Sequence, residues 1–375
     1  MSFDTYIRPR TARIRLPDEH VFDGSPSNST EVSSPPPTIL LVSAFFPSPN
    51  SKHTIAEYRS SLTRFLGHID TDVYIFVPPE MESLVREVRG SRPLTVNTTF
   101  ASPFGILPLE GLEEQYADMR KLSREKKRHS TMLYAARAAK AYFLDEAVQN
   151  SGQRYQYAFW TDAQSFRGEH TYVHWPDARR LEEIWDEGNR LNGMAKEDLV
   201  FVPMWDLPNH SMQFWQEMMG PLTNDFSEGS FFGGPVQAVS WWRRAYYAYH
   251  DAYLSRSFFI GEDQAIINAL VMLHPSRFIT VWPRDLEAPA HGGLVPTTDD
   301  GYVGNCGPLR SYYRFWLASP ADRKHMRAVW DARWHWDSLW RKRATCRVTR
   351  VLGMQNVLER DFGPGWHSPP ASIDL

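Results

Sequence analysis

The polar-to-apolar pattern along this chain changes abruptly near residue 38. Residues 1–37 are rich in Ser, Pro and charge and end in SSPPP. Such a segment buries too little apolar surface to offset the entropy of ordering, so a flexible leader is expected. Thr38 to Phe46, TILLVSAFF, is then a short apolar run rich in branched residues and stopped by Pro47, the pattern of a strand buried on both faces. Ile55, Tyr58, Leu62, Phe65 and Leu66 follow at helical spacing. DVYIFVPPE predicts a second strand closed by Pro78 and Pro79, SLVREVR a helix, and RPLTVNTTF a third strand.

Residues 112–150 carry a helical pattern with a charged middle, RKLSREKKRH. The next apolar run, RYQYAFWTDAQSFRG, is a strand that ends on Asp162. LVFVPMW predicts another strand, and GSFFGG a tight glycine turn before the long helical pattern PVQAVSWWRRAYYAYHDAYL. GEDQAIINALVMLHP opens a further helix, and RFITVWP closes the sheet region. Strands alternating with helices imply a Rossmann-like α/β fold with a mainly parallel central sheet and flanking helices. With no repeat and no polar linker inside 38–300, the expected organisation is a leader (1–37), one catalytic domain (38–310) and a helical, Trp/Arg-rich C-terminal extension (311–375). In that extension Met326, Val329, Trp336 and Trp340 recur at helical spacing. They predict a helix docked by its tryptophans; peripheral membrane contact is the alternative.

Composition narrows the class. The 375 residues are 42% hydrophobic and 14% aromatic, enough for a large core, and the net charge of −3 gives no footprint for nucleic acid. Cys306 and Cys346 alone lack metal-type spacing. They argue against a disulfide framework and a zinc knuckle, and suit a reducing compartment. No run reaches transmembrane length and no signal-peptide pattern opens the chain, so a cytoplasmic protein is expected.

The candidate chemistry begins at Asp162, since ligands of open α/β sheets gather outside the carboxyl ends of strands. An Asp capping the next turn is the plainer explanation. Glu262 and Asp263 stand at a helix start, where exposed amides favour carboxylates; simple capping explains one of them. Gly233 and Gly234 would let backbone approach a ligand closely. No G-x-S-x-G elbow or Cys–His arrangement supports nucleophilic hydrolysis.

As an ordered series, FWTDAQSFRG, EGSFFGG and GEDQ resemble the HtrL/YibB-like family, whose members look like GT-A glycosyltransferases. The resemblance spans roughly 38–300. It implies transfer of a sugar from a nucleoside diphosphate donor, most simply a UDP-sugar, to a small-molecule or glycan hydroxyl; a catalytically silent nucleotide- or glycan-binding protein is the alternative. It implies Asp263 as catalytic base with Glu262 orienting the acceptor. Ser43, Ala44 and Phe45 would lie beside the base, Arg137 and Lys140 would reach phosphates or sugar, and Gly233 and Gly234 would line the donor. A divalent cation, Mn²⁺ or Mg²⁺, would be held by Asp162 and His291. Gln164 departs from the pattern, standing where a second acid normally falls. DQAIIN suits inverting and retaining enzymes alike.

Overall fold

The apolar run at residue 38 becomes strand β1 (Ile39–Ala44), with Leu41 opposite Val73 of β2 (Asp72–Phe76) and Phe159 of β4 (Tyr157–Thr161), both pairings parallel. This computed structural model describes residues 35–47, 54–152, 154–285, 287, 301–337 and 345–375, with backbone alone at 334–337. Alternation along β1 divides the interior. Leu40 and Val42 join Phe76 and Trp160 in one hydrophobic cluster, and Leu41 joins Val73 and Phe159 in another. Side chains of successive strand residues point to opposite faces, so the sheet has a core on each side. Each fully buried Leu, Val or Phe contributes about 1.5–3 kcal/mol.

Among the described residues, eight strands form one sheet in the order β3-β2-β1-β4-β6-β5-β7-β8. β3 is Leu94–Asn97, β5 Val200–Phe201, β6 Phe231–Pro235, β7 Phe278–Thr280 and β8 Leu352–Gly353. The β1–β2, β1–β4, β2–β3 and β5–β7 pairings are parallel, whereas β6 runs antiparallel to both neighbours and β8 antiparallel to β7. The helix after β1, α1 (Ile55–Leu66), starts on a capping box in which Thr54 and Glu57 satisfy each other's backbone amides. α2 (Glu82–Arg89) precedes β3. The pattern over 112–150 resolves into α3 (Glu113–Arg120), α4 (Thr131–Ala138) and α5 (Lys140–Asn150). α6 (Ala178–Asn192) and α7 (Val236–Ser255) flank the sheet, and α8 (Asp263–Leu273) is buried along nearly its whole length.

Residues 36–375 cluster as one unit. The C-terminal segment supplies α9 (Tyr312–Trp316), α10 (Pro320–Asp337) and α11 (Met354–Phe362), and also the edge strand β8. Met326 and Trp330 of α10 are buried in the second cluster and Val329 packs against it. Trp340 lies outside the described residues, as does the side chain of Trp336.

Two readings of the sequence are corrected. GSFFGG is a turn only at Gly229 and Ser230, which line a large cleft: from Phe231 onward it is strand β6, and Gly233 and Gly234 lie buried inside the sheet. A Cβ at Gly233 would come 2.2 Å from Ala158 O, and one at Gly234 2.6 Å from Leu199 O. The glycines permit strand pairing rather than ligand approach. Second, Cys306 and Cys346 form a disulfide with Cα atoms 5.9 Å apart. Asn305 Oδ1 accepts a bond from the Cys346 amide at 3.1 Å, holding the two segments together. The cysteine pattern therefore lends no support to a reducing compartment. No described helix is long and apolar enough to cross a membrane.

Gly233→Ala, at φ +148°, is expected to cost about 3 kcal/mol or more, read as loss of soluble protein or a collapsed Tm. Opening the disulfide, which closes a separation of 40 residues, is expected to cost about 2–4 kcal/mol, measured by urea unfolding with and without reductant.

Candidate active site

β4 delivers Asp162 to the carboxyl edge of the sheet. The Asp162 amide donates to Ser230 O at 3.0 Å, and Ser43 Oγ at the end of β1 donates to Thr161 O at 2.6 Å. The second bond fixes the strand end but turns Ser43 inward, fully buried and away from the cleft. The Asp162 side chain does not cap the following turn. Its Oδ1 accepts the Trp160 indole N–H at 2.6 Å and meets the Lys140 ammonium at 3.0 Å.

Lys140 is the centre of the site. Its ammonium touches Asp162 Oδ1 at 3.0 Å and Oδ2 at 3.2 Å, Asp263 Oδ2 at 2.8 Å and Gly229 O at 2.9 Å. Three N–H bonds thus face four oxygens. The side chain is only 9% exposed, and Asp263 only 7%. A cation at the first residue of α5 is opposed by the helix dipole, whereas Asp263 at the first residue of α8 is favoured by it. Burial alone would depress the Lys140 pKa, but the two carboxylates outweigh it and hold the ammonium well above the ordinary lysine value. Their convergence joins α5, β4 and α8 at one point.

The turn before β6 completes the floor. A Cβ at Gly229 would lie 2.9 Å from Gln264 Cγ and 3.1 Å from Asp263 Oδ2, so a glycine is needed for Asp263 to approach. Gln264 Nε2 donates to Ser227 O at 2.7 Å, and Asn268 Nδ2 to Asn224 O at 2.5 Å. The Gln and Asn of DQAIIN therefore staple this loop. Glu228 also lines the cleft; burial, with the field of Asp162, raises its pKa against the bonds from Ser230 and the charge of Arg314.

These groups lie in a cleft of about 1620 Å³. Among the described residues nine arginines and lysines line it, against four carboxylates, in a protein of net charge −3. Ala44 and Phe45 line it with Arg137, Lys140, Asp162, Gln164 and Asp263. Glu262 stands beside it, paired with Arg137 at 3.2 Å. Gly233 and Gly234 do not line it, and His291 lies outside the described residues. Phe231 and Phe232 are core. Trp160 does line the cleft, though nearly buried.

Gly229, Glu228 and Arg314 were not singled out from the sequence. Gly229 is the first residue of GSFFGG and Glu228 precedes it, whereas Arg314 falls in none of the motifs the sequence offered.

The described residues do not make a hard-cation site. No group of three or more His, Cys, Asp or Glu is placed to share an ion among them. Both Asp162 oxygens are engaged by an ammonium and one also by an indole N–H, while the Gln164 amide donates to Ser61 Oγ at 2.9 Å. A divalent cation wants unclaimed oxygens.

No protein-family model matches the chain. No curated protein matches it either. Among solved structures it is similar to core-mannan synthase A of Aspergillus fumigatus in an Mn/GDP form, at 13% identity and TM-score 0.39, covering 69% of this chain and 75% of that one. It is also similar to mouse xyloside xylosyltransferase 1 in its apo form, at 13% identity and TM-score 0.36, covering 65% of this chain and 85% of that one.

Lys140→Met would leave Asp263 buried without its cation. A destabilisation of about 3–5 kcal/mol is expected, measured by urea unfolding. Folding raises the lysine pKa, so the contribution is complete below about pH 10.4, the unfolded value. It is lost only as pH climbs toward the folded value. The gap between wild type and variant should accordingly be flat across neutral pH and shrink in strong alkali.

Proposed function

We propose that this chain is a GT-A-type glycosyltransferase that moves a sugar from a nucleoside diphosphate donor, most simply a UDP-sugar, to an acceptor hydroxyl. One observation carries the reading. Two carboxylates distant in sequence meet on one buried ammonium at the floor of a cationic cleft, at the carboxyl edge of a mainly parallel sheet. Surplus positive charge suits a diphosphate, and ligands of such sheets bind at this edge.

In this reading Ala44 and Phe45 flank the base, and the arginines of the cleft stabilise negative charge that grows on the leaving diphosphate. The acceptor oxygen bonds to the anomeric carbon as the bond to the donor phosphate breaks. The hydroxyl proton passes to Asp263, and the nucleoside diphosphate departs. Glu262, held by Arg137, orients the acceptor. Lys140 stays charged and keeps both acids in place. Of the proposed ligands for Mn²⁺ or Mg²⁺, Asp162 is in the cleft, and no step above is assigned to the ion.

The engagement of both Asp162 oxygens, and of Asp263 Oδ2, by Lys140 also favours a second reading, a domain that binds nucleotide without turning it over. The test is turnover with a panel of UDP- and GDP-sugars, following donor hydrolysis and transfer. Wild type should release nucleoside diphosphate with at least one donor, and Asp263→Asn should lower kcat by about 100-fold or more. Asp162→Asn should do likewise. Equal turnover by the variants would sink the site assignment, and calorimetric binding with no product from any donor would select the second reading.

A further inference from the structure

Among the described residues, Arg314 differs from the paired cations of the cleft in having no carboxylate partner, and from Arg120, Lys127 and Arg167, which also stand outside any ion pair, in being stacked on an aromatic ring. Arg310 is paired with Asp225 at 2.8 Å, Arg333 with Glu169 at 3.1 Å and Arg137 with Glu262 at 3.2 Å. Arg314 lies within ion-pair distance of no carboxylate among the described residues, although it lines the same cleft. Its guanidinium carbon lies 4.3 Å from the centre of the Phe166 ring. Nε and Nη2 donate to the Tyr313 hydroxyl at 3.2 and 3.1 Å, and the Trp175 indole N–H donates to its backbone carbonyl at 2.9 Å. Five N–H donors are available on a guanidinium, and two are used among the described residues. The group is therefore held in place, with no partner on Nη1 among the described residues. The same Tyr313 hydroxyl meets Ser230 Oγ at 3.4 Å, and the Ser230 carbonyl accepts the Asp162 amide at 3.0 Å, which ties Arg314 to the Asp162 floor.

The expected metal position is occupied by different chemistry. Lys140 has taken the oxygens of Asp162, and Gln164, standing in the second acid position, turns its amide to Ser61. Without a counter-charge an acid pair at the floor would repel a diphosphate. Lys140 removes one of the two negative charges, and a preorganised guanidinium matches phosphate oxygens in bidentate fashion.

We propose that Arg314, rather than a divalent cation, is the counter-charge for the diphosphate, so that this protein binds nucleoside diphosphates without metal. The inference rests on the transferase reading above but fails separately from it. Binding of UDP and of GDP is measured by titration calorimetry on the full chain, once in EDTA and once in MnCl₂. The affinity of the preferred nucleotide should agree within about twofold between the two buffers, a difference of about 0.4 kcal/mol. Arg314→Met, which keeps an apolar stem over Phe166, should weaken binding by about 10- to 100-fold. Arg314→Lys, which keeps the charge without the fork, should fall between the two. Thermal melts confirm that both variants are folded; if the Met variant is not, the Lys variant carries the comparison. Binding seen only with Mn²⁺, or variants that bind as tightly as wild type, overturns the proposal and leaves the transferase reading standing. No binding of either nucleotide in either buffer overturns both.

Discussion

A buried ammonium cannot stand alone in this protein, and that constraint organises the site. Lys140 opens a helix whose dipole opposes it, in an environment that disfavours charge. Only the convergence of Asp162 and Asp263, with the carbonyl of Gly229, makes the position tolerable. Because the three partners come from the end of β4, the start of α8 and the turn before β6, the ammonium ties together the elements that form the cleft floor. An isolated buried charge costs several kcal/mol. The pairing is thus a condition of folding as well as a feature of any chemistry done there.

The surroundings are arranged to keep that point open on one side. Two hydrophobic clusters cover the faces of the sheet, and the polar groups of the site emerge at its carboxyl edge. Antiparallel β6 lies against β4 through its glycines, which carries Ser230 and Gly229 to the acid pair. The C-terminal segment closes the other wall. α9 brings Arg314 onto Phe166, and the Cys306–Cys346 disulfide fixes a turn that also lines the cleft.

Much of this frame was legible in the sequence, and the failures have physical causes. β1, β2 and β4 were visible because strands buried on both faces read as continuous apolar runs. α1 was visible through its periodicity and α8 through its acidic start. Asp162, Asp263, Lys140 and Arg137 could be singled out because each stands at an element end or on the helical pattern preceding β4. β6 was misread because glycine marks a turn and a close strand approach equally well; only the carbonyl of Ala158 decides between them. β8 has two residues and exists by virtue of β7, so no local pattern announces it. The disulfide and the posture of Arg314 depend on partners supplied by tertiary folding, which spacing along the chain does not encode.

The central claim is that the Lys140-centred acid pair forms the floor of a nucleoside diphosphate site. A crystal structure of the protein soaked with UDP or GDP tests it most directly. The account predicts density for the diphosphate inside this cleft, against Arg314 and above Asp162, with the base toward Ala44 and Phe45. Nucleotide bound instead elsewhere on the surface, with the cleft holding solvent alone, would contradict it.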